Sequence, residues 1–275
     1  MSSARVPVDA NREKKLVAFD KLLTIMDELR ALCPWDKKQT LESLRYLTLE
    51  EVYELSDAIL EKDTNEIKKE LGDIFLHLVF YSKIASERGE FDIADVLDSI
   101  SEKLIYRHPH IYADVKVKNE QEVSENWEKI KLKEKGNKSV LGGVPTSLPA
   151  MVKAMRIQEK ARGVGFDWDD KGQVWEKVEE ELGEFKAEFN IETNKAIDAE
   201  AAESEFGDLI FSLINYARFV GINPEDALEK TNRKFIKRFN YLEKTAKSDG
   251  HTLGDMTLEQ MDKYWEEAKQ KKEAQ

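Results

Sequence analysis

Two stretches of this chain carry the same order of chemistry, and that repetition constrains the fold more than any other feature. Glu50-Glu51 with Glu54 is followed by Glu70-Leu71-Gly72-Asp73, and Glu180-Glu181 with Glu184 is followed by Glu205-Phe206-Gly207-Asp208. On helices, spacings of three and four residues place the carboxylates of each segment on one face. Lys103 and Arg107 after the first pair match Lys234 and Arg238 after the second, and Trp127 with Lys131 matches Trp265 with Lys269. Such order reads as two copies of one helical unit.

The spacing of apolar residues supplies the rest of each copy. Leu16, Val17, Phe19, Leu22, Leu23, Met26 and Leu29 predict a helix that stops before Cys33-Pro34-Trp35-Asp36. Leu41, Leu44, Leu47, Val52, Leu55 and Ile59 line a second helix, and a third begins near Glu66. Its run Ile74 to Tyr81 is apolar on most sides and is expected to be central. A fourth, from about Asp92, is expected to turn Ile93, Val96, Leu97, Ile100 and Leu104 inward and to end near His108-Pro109-His110.

The order then recurs: a helix over 150–161, a turn at Gly163 to Trp168, and an acidic helix over about 173–189. A helix carrying Glu205 and Asp208, another over about 225–244 and a last one over 258–269 complete the copy. Period-2 alternation between turn signals is missing, so the chain reads as all-α, with two tandem helical bundle domains over 1–135 and 150–275. The glycine- and proline-bearing stretch 136–149 is the expected linker.

Composition narrows the function. With 41% hydrophobic and 36% charged residues, the chain is neither disordered nor a membrane protein, and no apolar run approaches a bilayer span of about 20 residues. The N-terminal residues lack the hydrophobic core of a signal peptide, so a cytoplasmic protein is expected. The lone Cys33 is expected to be a buried thiol. A net charge of -12 argues against a nucleic-acid polymer as partner, but a nucleotide bridged to carboxylates by metal remains compatible.

Converging carboxylates without His or Cys among them select a hard cation, Mg²⁺ or Mn²⁺, over zinc. A di-iron bundle would need a Glu-x-x-His pair that neither ExxD segment offers. Lys and Arg one turn apart can hold phosphate oxygens. Trp265 either stacks on a base or closes the core. Gly72 and Gly207 sit inside helices at a cost of about 1 kcal/mol relative to alanine, which implies either a close approach to the backbone or tight helix packing. His108 and His110 are expected to cap or pack, and His77 to be a core histidine.

Together these motifs resemble the MazG nucleoside triphosphate pyrophosphohydrolases of the all-α NTP pyrophosphatase superfamily, whose signature is EExxE followed by ExxD. Cys33-Pro34-Trp35-Asp36, Tyr106-Arg107-His108-Pro109-His110, Val164-Gly165-Phe166-Asp167-Trp168 and Lys234-Phe235 with Arg238-Phe239 extend the similarity from about Leu16 to Lys269. The resemblance implies Mg²⁺-dependent hydrolysis of nucleoside triphosphates to monophosphate and pyrophosphate, as house-cleaning of the nucleotide pool, by a homodimer.

It further implies Glu181, Glu184, Glu205 and Asp208 as metal ligands and Glu180 as a spare carboxylate that orients water or holds an outer-shell ion. Lys177, Lys234 and Arg238 would contact phosphates, with Trp265 near the nucleotide. Lys177 and Asn215 have Leu47 and Phe80 as first-half counterparts, so the second half is expected to be the hydrolase and the first structural or regulatory. The alternatives are a non-enzymatic dimerising scaffold and a pyrophosphatase restricted to one nucleotide, such as dUTP or dCTP.

Overall fold

The computed structural model describes residues 7, 9–133, 139–168, 170–190, 193 and 195–273. Among these the chain is helical throughout, and its one bridge of β type joins Phe189 and Ala196. It divides into two compact units, Met1–Lys116 and Val117–Gln275. The division falls ahead of the 136–149 stretch, whose residues 136–138 lie outside the described ones. Lys153 Nζ donates to the Thr146 carbonyl at 2.7 Å and Lys160 Nζ to the Val140 carbonyl at 3.3 Å, so the end of that stretch is fastened to the second unit.

The first unit contains α1 (Arg12–Leu32), α2 (Leu41–Glu61), α3 (Thr64–Glu87), α4 (Ile93–Arg107) and the single turn α5 (Pro109–Tyr112). Thr40 and Ser43 cap the start of α2 reciprocally, each side chain accepting from the other's backbone N–H. Lys62, in the left-handed region at φ 59°, ends α2, and Asp63 caps α3 by accepting from the Asn65 and Glu66 amides. These caps fold α2 and α3 into a tight hairpin. Met26, Leu44, Val79, Phe80 and Ile84 form the core, flanked by Phe19, Leu22, Leu23, Leu41, Leu47, Leu76 and Tyr81.

The central run is only half enclosed, with Phe75 51% and Leu78 49% exposed. The inward face expected for α4 is likewise open: Val96, Leu97, Ile100 and Leu104 are all more than 40% exposed. Within its own unit α4 packs against α3, and that contact leaves its apolar stripe uncovered. Cys33 is half-buried instead of enclosed.

The second unit runs α6 (Glu120–Lys133), α7 (Ala150–Arg162), α8 (Lys171–Ala187), α9 (Ala199–Phe219), α10 (Pro224–Ser248) and α11 (Leu258–Glu273). Asp170, Asp198 and Asn223 cap α8, α9 and α10 through backbone amides two and three residues ahead. The hairpin of α8 and α9 repeats that of α2 and α3, while α10 packs on α7, α9 and α11. Val174, Val178, Leu209, Ile214, Leu242 and Ala246 are buried within this unit. No helix among the described residues is long and apolar enough to cross a membrane.

Candidate active site

Each hairpin brings its acidic segments together. In the second unit, one carboxylate oxygen each from Glu181, Glu184 and Glu205 lies within 4.8 Å of the others. Glu181 is buried at 7% exposure, Glu205 is half-buried and Glu184 is open. Asp208 stands outside that trio on the exposed surface, although its charge acts on Glu205. Burial first, and then the charges of Glu184, Asp208, Glu181 and Glu188, push the Glu205 carboxyl above its usual range. Glu180 is exposed and accepts from Lys177 Nζ at 2.9 Å.

The first unit carries the parallel group Glu51, Glu70 and Asp73, whose oxygens also lie within 4.8 Å of one another. Glu70 is 3% exposed, and its Oε2 is buried without a hydrogen-bond partner. Burial, followed by the charges of Asp73, Glu54 and Glu70, raises the Glu51 carboxyl. A buried carboxylate oxygen without a partner carries a desolvation penalty that a bound cation relieves. Both donor sets consist of carboxylate oxygens alone, which fits a hard divalent cation such as Mg²⁺ or Mn²⁺.

The residues expected on phosphate and base are placed differently. Lys177 Nζ turns into the acidic group, 2.7 Å from Glu181. Lys234 is exposed on α10, and Arg238 one turn later is half-buried, its Nε without a partner and its guanidinium 5.9 Å above the Trp265 ring. Trp265 is half-buried, its ring 4.9 Å from that of Phe235 and beneath the Arg238 guanidinium. Asn215 is buried and occupied: its Oδ1 accepts from Arg218 Nε at 3.2 Å and Nη2 at 2.8 Å. The polarity that Asn215 brings is therefore spent inside the unit.

Two networks were not read from the sequence. Arg218 donates to both oxygens of Asp167, at 2.9 and 2.5 Å, which ties the Gly163 to Trp168 turn to α9. In the first unit Thr48 Oγ1 lies 2.8 Å from His77 Nδ1 and 2.5 Å from the Tyr81 hydroxyl, and it donates to the Leu44 carbonyl. His77, buried as expected, sits one turn beyond Asp73, and burial lowers its pKa against the opposing pull of that carboxylate. Its signal in sequence was the spacing from Asp73, which a core histidine shares. His108 caps α4: its backbone N–H donates to Ile105, and its Nδ1 is 2.6 Å from the Leu104 carbonyl.

The glycines between the carboxylates resolve one open choice. A Cβ built on Gly72 or on Gly207 meets nothing within 4 Å, so no neighbouring helix of the same unit packs there.

This geometry agrees with the comparisons. The profile of the MazG nucleotide pyrophosphohydrolase domain matches residues 39–112, which span the first carboxylate group. Over 257 residues the chain is 46% identical to the nucleoside triphosphate pyrophosphohydrolase/pyrophosphatase MazG of Thermotoga maritima, covering 92% of this chain and 96% of that one. The chain belongs to the MazG family. A second member, the nucleoside triphosphate pyrophosphohydrolase of Escherichia coli K12, is 42% identical over 257 residues, with 91% and 97% of the two chains covered. The family also takes in longer proteins: the chain is 48% identical over 265 residues to YabN of Bacillus subtilis, an uncharacterised protein of which it spans 53%.

Proposed function

We propose that this chain hydrolyses nucleoside triphosphates to the monophosphate and pyrophosphate, with Mg²⁺ or Mn²⁺ held by Glu181, Glu184, Glu205 and Asp208 of the second unit. The observation that carries this reading is the convergence of Glu181, Glu184 and Glu205 within 4.8 Å, with no nitrogen or sulfur ligand in the group. A bound divalent cation supplies Lewis acidity there, polarising phosphate oxygens and lowering the pKa of water.

Arg238 and Lys234, one turn apart on the same face of α10, contact phosphate oxygens, and the half-buried Trp265 lies near the base. The enzyme acts in the cytoplasm, clearing unwanted triphosphates from the nucleotide pool. It works as a homodimer, in which the uncovered apolar residues of α3 and α4 are enclosed.

The test is Mg²⁺-dependent release of pyrophosphate, as opposed to orthophosphate, from a mixture of triphosphates. Glu205→Gln is expected to abolish release and Glu70→Gln largely to spare it. Since the domain profile falls on the first unit, the reverse outcome would transfer the activity there and overturn the assignment.

A further inference from the structure

Each acidic group has a lysine paired with its most buried carboxylate, and the two lysines stand at positions that the duplication does not relate. In the second unit Lys177, on α8, bridges Glu181 at 2.7 Å and Glu180 at 2.9 Å. Aligning the two EExxE segments gives Leu47 as its counterpart. In the first unit the ammonium is instead Lys69, on α3, 2.9 Å from Glu70 and 3.5 Å from Glu66. Aligning the ExxD segments gives Ser204 as the counterpart of Lys69. Two copies of one hairpin thus meet the same electrostatic demand from different helices.

The demand is local. Glu181 is buried, and a desolvated carboxylate among like charges needs a cation against it. Helix stability accounts for little of the pair, because a lysine four residues ahead of a glutamate is the less favourable of the two orientations and such pairs contribute only about 0.2 to 0.5 kcal/mol. The partners of Lys177 are also unequal. Glu181 belongs to the converging trio, whereas Glu180 lies outside it with its side chain 55% exposed.

We infer that Lys177 is the internal counter-ion of the second acidic group, giving up Glu181 when a divalent cation takes that carboxylate and then being held by Glu180 alone on the exposed face of α8. Held there, its ammonium is free to meet a nucleotide phosphate. This gives Glu180 a positioning role, that of retaining the displaced lysine. The inference rests on the reading that Glu181 is a metal ligand. It adds that cation and nucleotide binding are coupled through one side chain.

The experiment measures Mn²⁺ binding to the full-length protein without nucleotide, by electron paramagnetic resonance of the free ion, in a Glu70→Gln background that silences the first group. Lys177→Met is expected to tighten Mn²⁺ binding about tenfold, the worth of one charge-assisted hydrogen bond no longer displaced. Lys177→Gln should act in the same direction. Lys186→Met, which removes an exposed cation from the same helix, should change affinity less than about twofold. Glu180→Gln should weaken binding several-fold when Lys177 is present and much less in the Lys177→Met protein.

Equal affinity in the Lys177→Met protein and its parent, with binding abolished by Glu181→Gln, overturns the counter-ion inference and leaves the metal site standing. Binding that Glu181→Gln does not alter overturns the metal-site reading itself, and the inference with it.

Discussion

Replacing Arg218 by methionine should loosen α9 by about 3 kcal/mol, and the structure shows where that figure comes from. The guanidinium donates to both carboxylate oxygens of Asp167 and to Asn215 Oδ1, and it lies 4.5 Å from the Phe219 ring. Side-chain exposure is 15% for Arg218 and 19% for Asp167, so the pair is largely desolvated. Removing one member of a buried pair costs roughly 3 to 5 kcal/mol, because the other charge is left without compensation. Residual exposure of Asp167, and a second cation at 3.8 Å in Arg162, point to the lower end of that range.

Asp167→Asn keeps an acceptor for one of the two donors and should cost about 1.5 kcal/mol. In the double variant the two losses share one cause, so their sum should exceed the measured loss by at least about 1 kcal/mol. A chain of two units has no single unfolding free energy, so the readout is native-state hydrogen exchange of the α9 amides. Additivity within about 0.4 kcal/mol would refute the argument that this ion pair fastens the Gly163 to Trp168 turn to α9.

Acid should weaken the first unit through Glu87. The hydrogen bond from Arg30, helped by the charge attraction and outweighing the upward push of burial, holds the Glu87 carboxyl below its usual range. A depressed carboxyl stabilises the fold above its unfolded pKa of about 4.3, and that stability is lost as pH falls through the lower folded value. Glu87→Gln should therefore flatten the decline in first-unit stability between about pH 5 and pH 3, followed by hydrogen exchange of the α3 amides; equal slopes would count against the pair. Gly207→Ala meets open space inside α9 and should stabilise that helix by about 0.5 to 1 kcal/mol. On the proposed reading, in which a nucleotide approaches the backbone there, it should also slow pyrophosphate release; unchanged release would leave the glycine without a ligand role.

The sequence disclosed what is periodic or repeated and concealed what depends on which neighbour a side chain meets. Helical spacing located α1 to α4, α7, α8, α10 and α11 to within a few residues, whereas for α6 it marked only a short segment around 127–135 of a helix that begins at Glu120; the doubled EExxE and ExxD order located both carboxylate groups. It did not show that the groups differ in membership, with Asp73 inside the first and Asp208 outside the second. Which carboxylates meet depends on side-chain rotamers and on how the two helices face each other, and spacing along one helix encodes neither.

Amphipathic pattern failed in the same way for α4, where it marked Val96, Leu97, Ile100 and Leu104 as a face to be covered. Periodicity says that such a face seeks a partner, not that the partner lies in the same unit. Lys177 makes the point most sharply. The family resemblance marked it for phosphate, yet its ammonium lies on Glu181. A lysine that neutralises a buried carboxylate and one that meets a phosphate share the same sequence signature, so only the energetics of exchange between those two anions can separate the roles. Mn²⁺ affinity in the presence and absence of Lys177 measures the first half of that exchange, the release of the ammonium from Glu181.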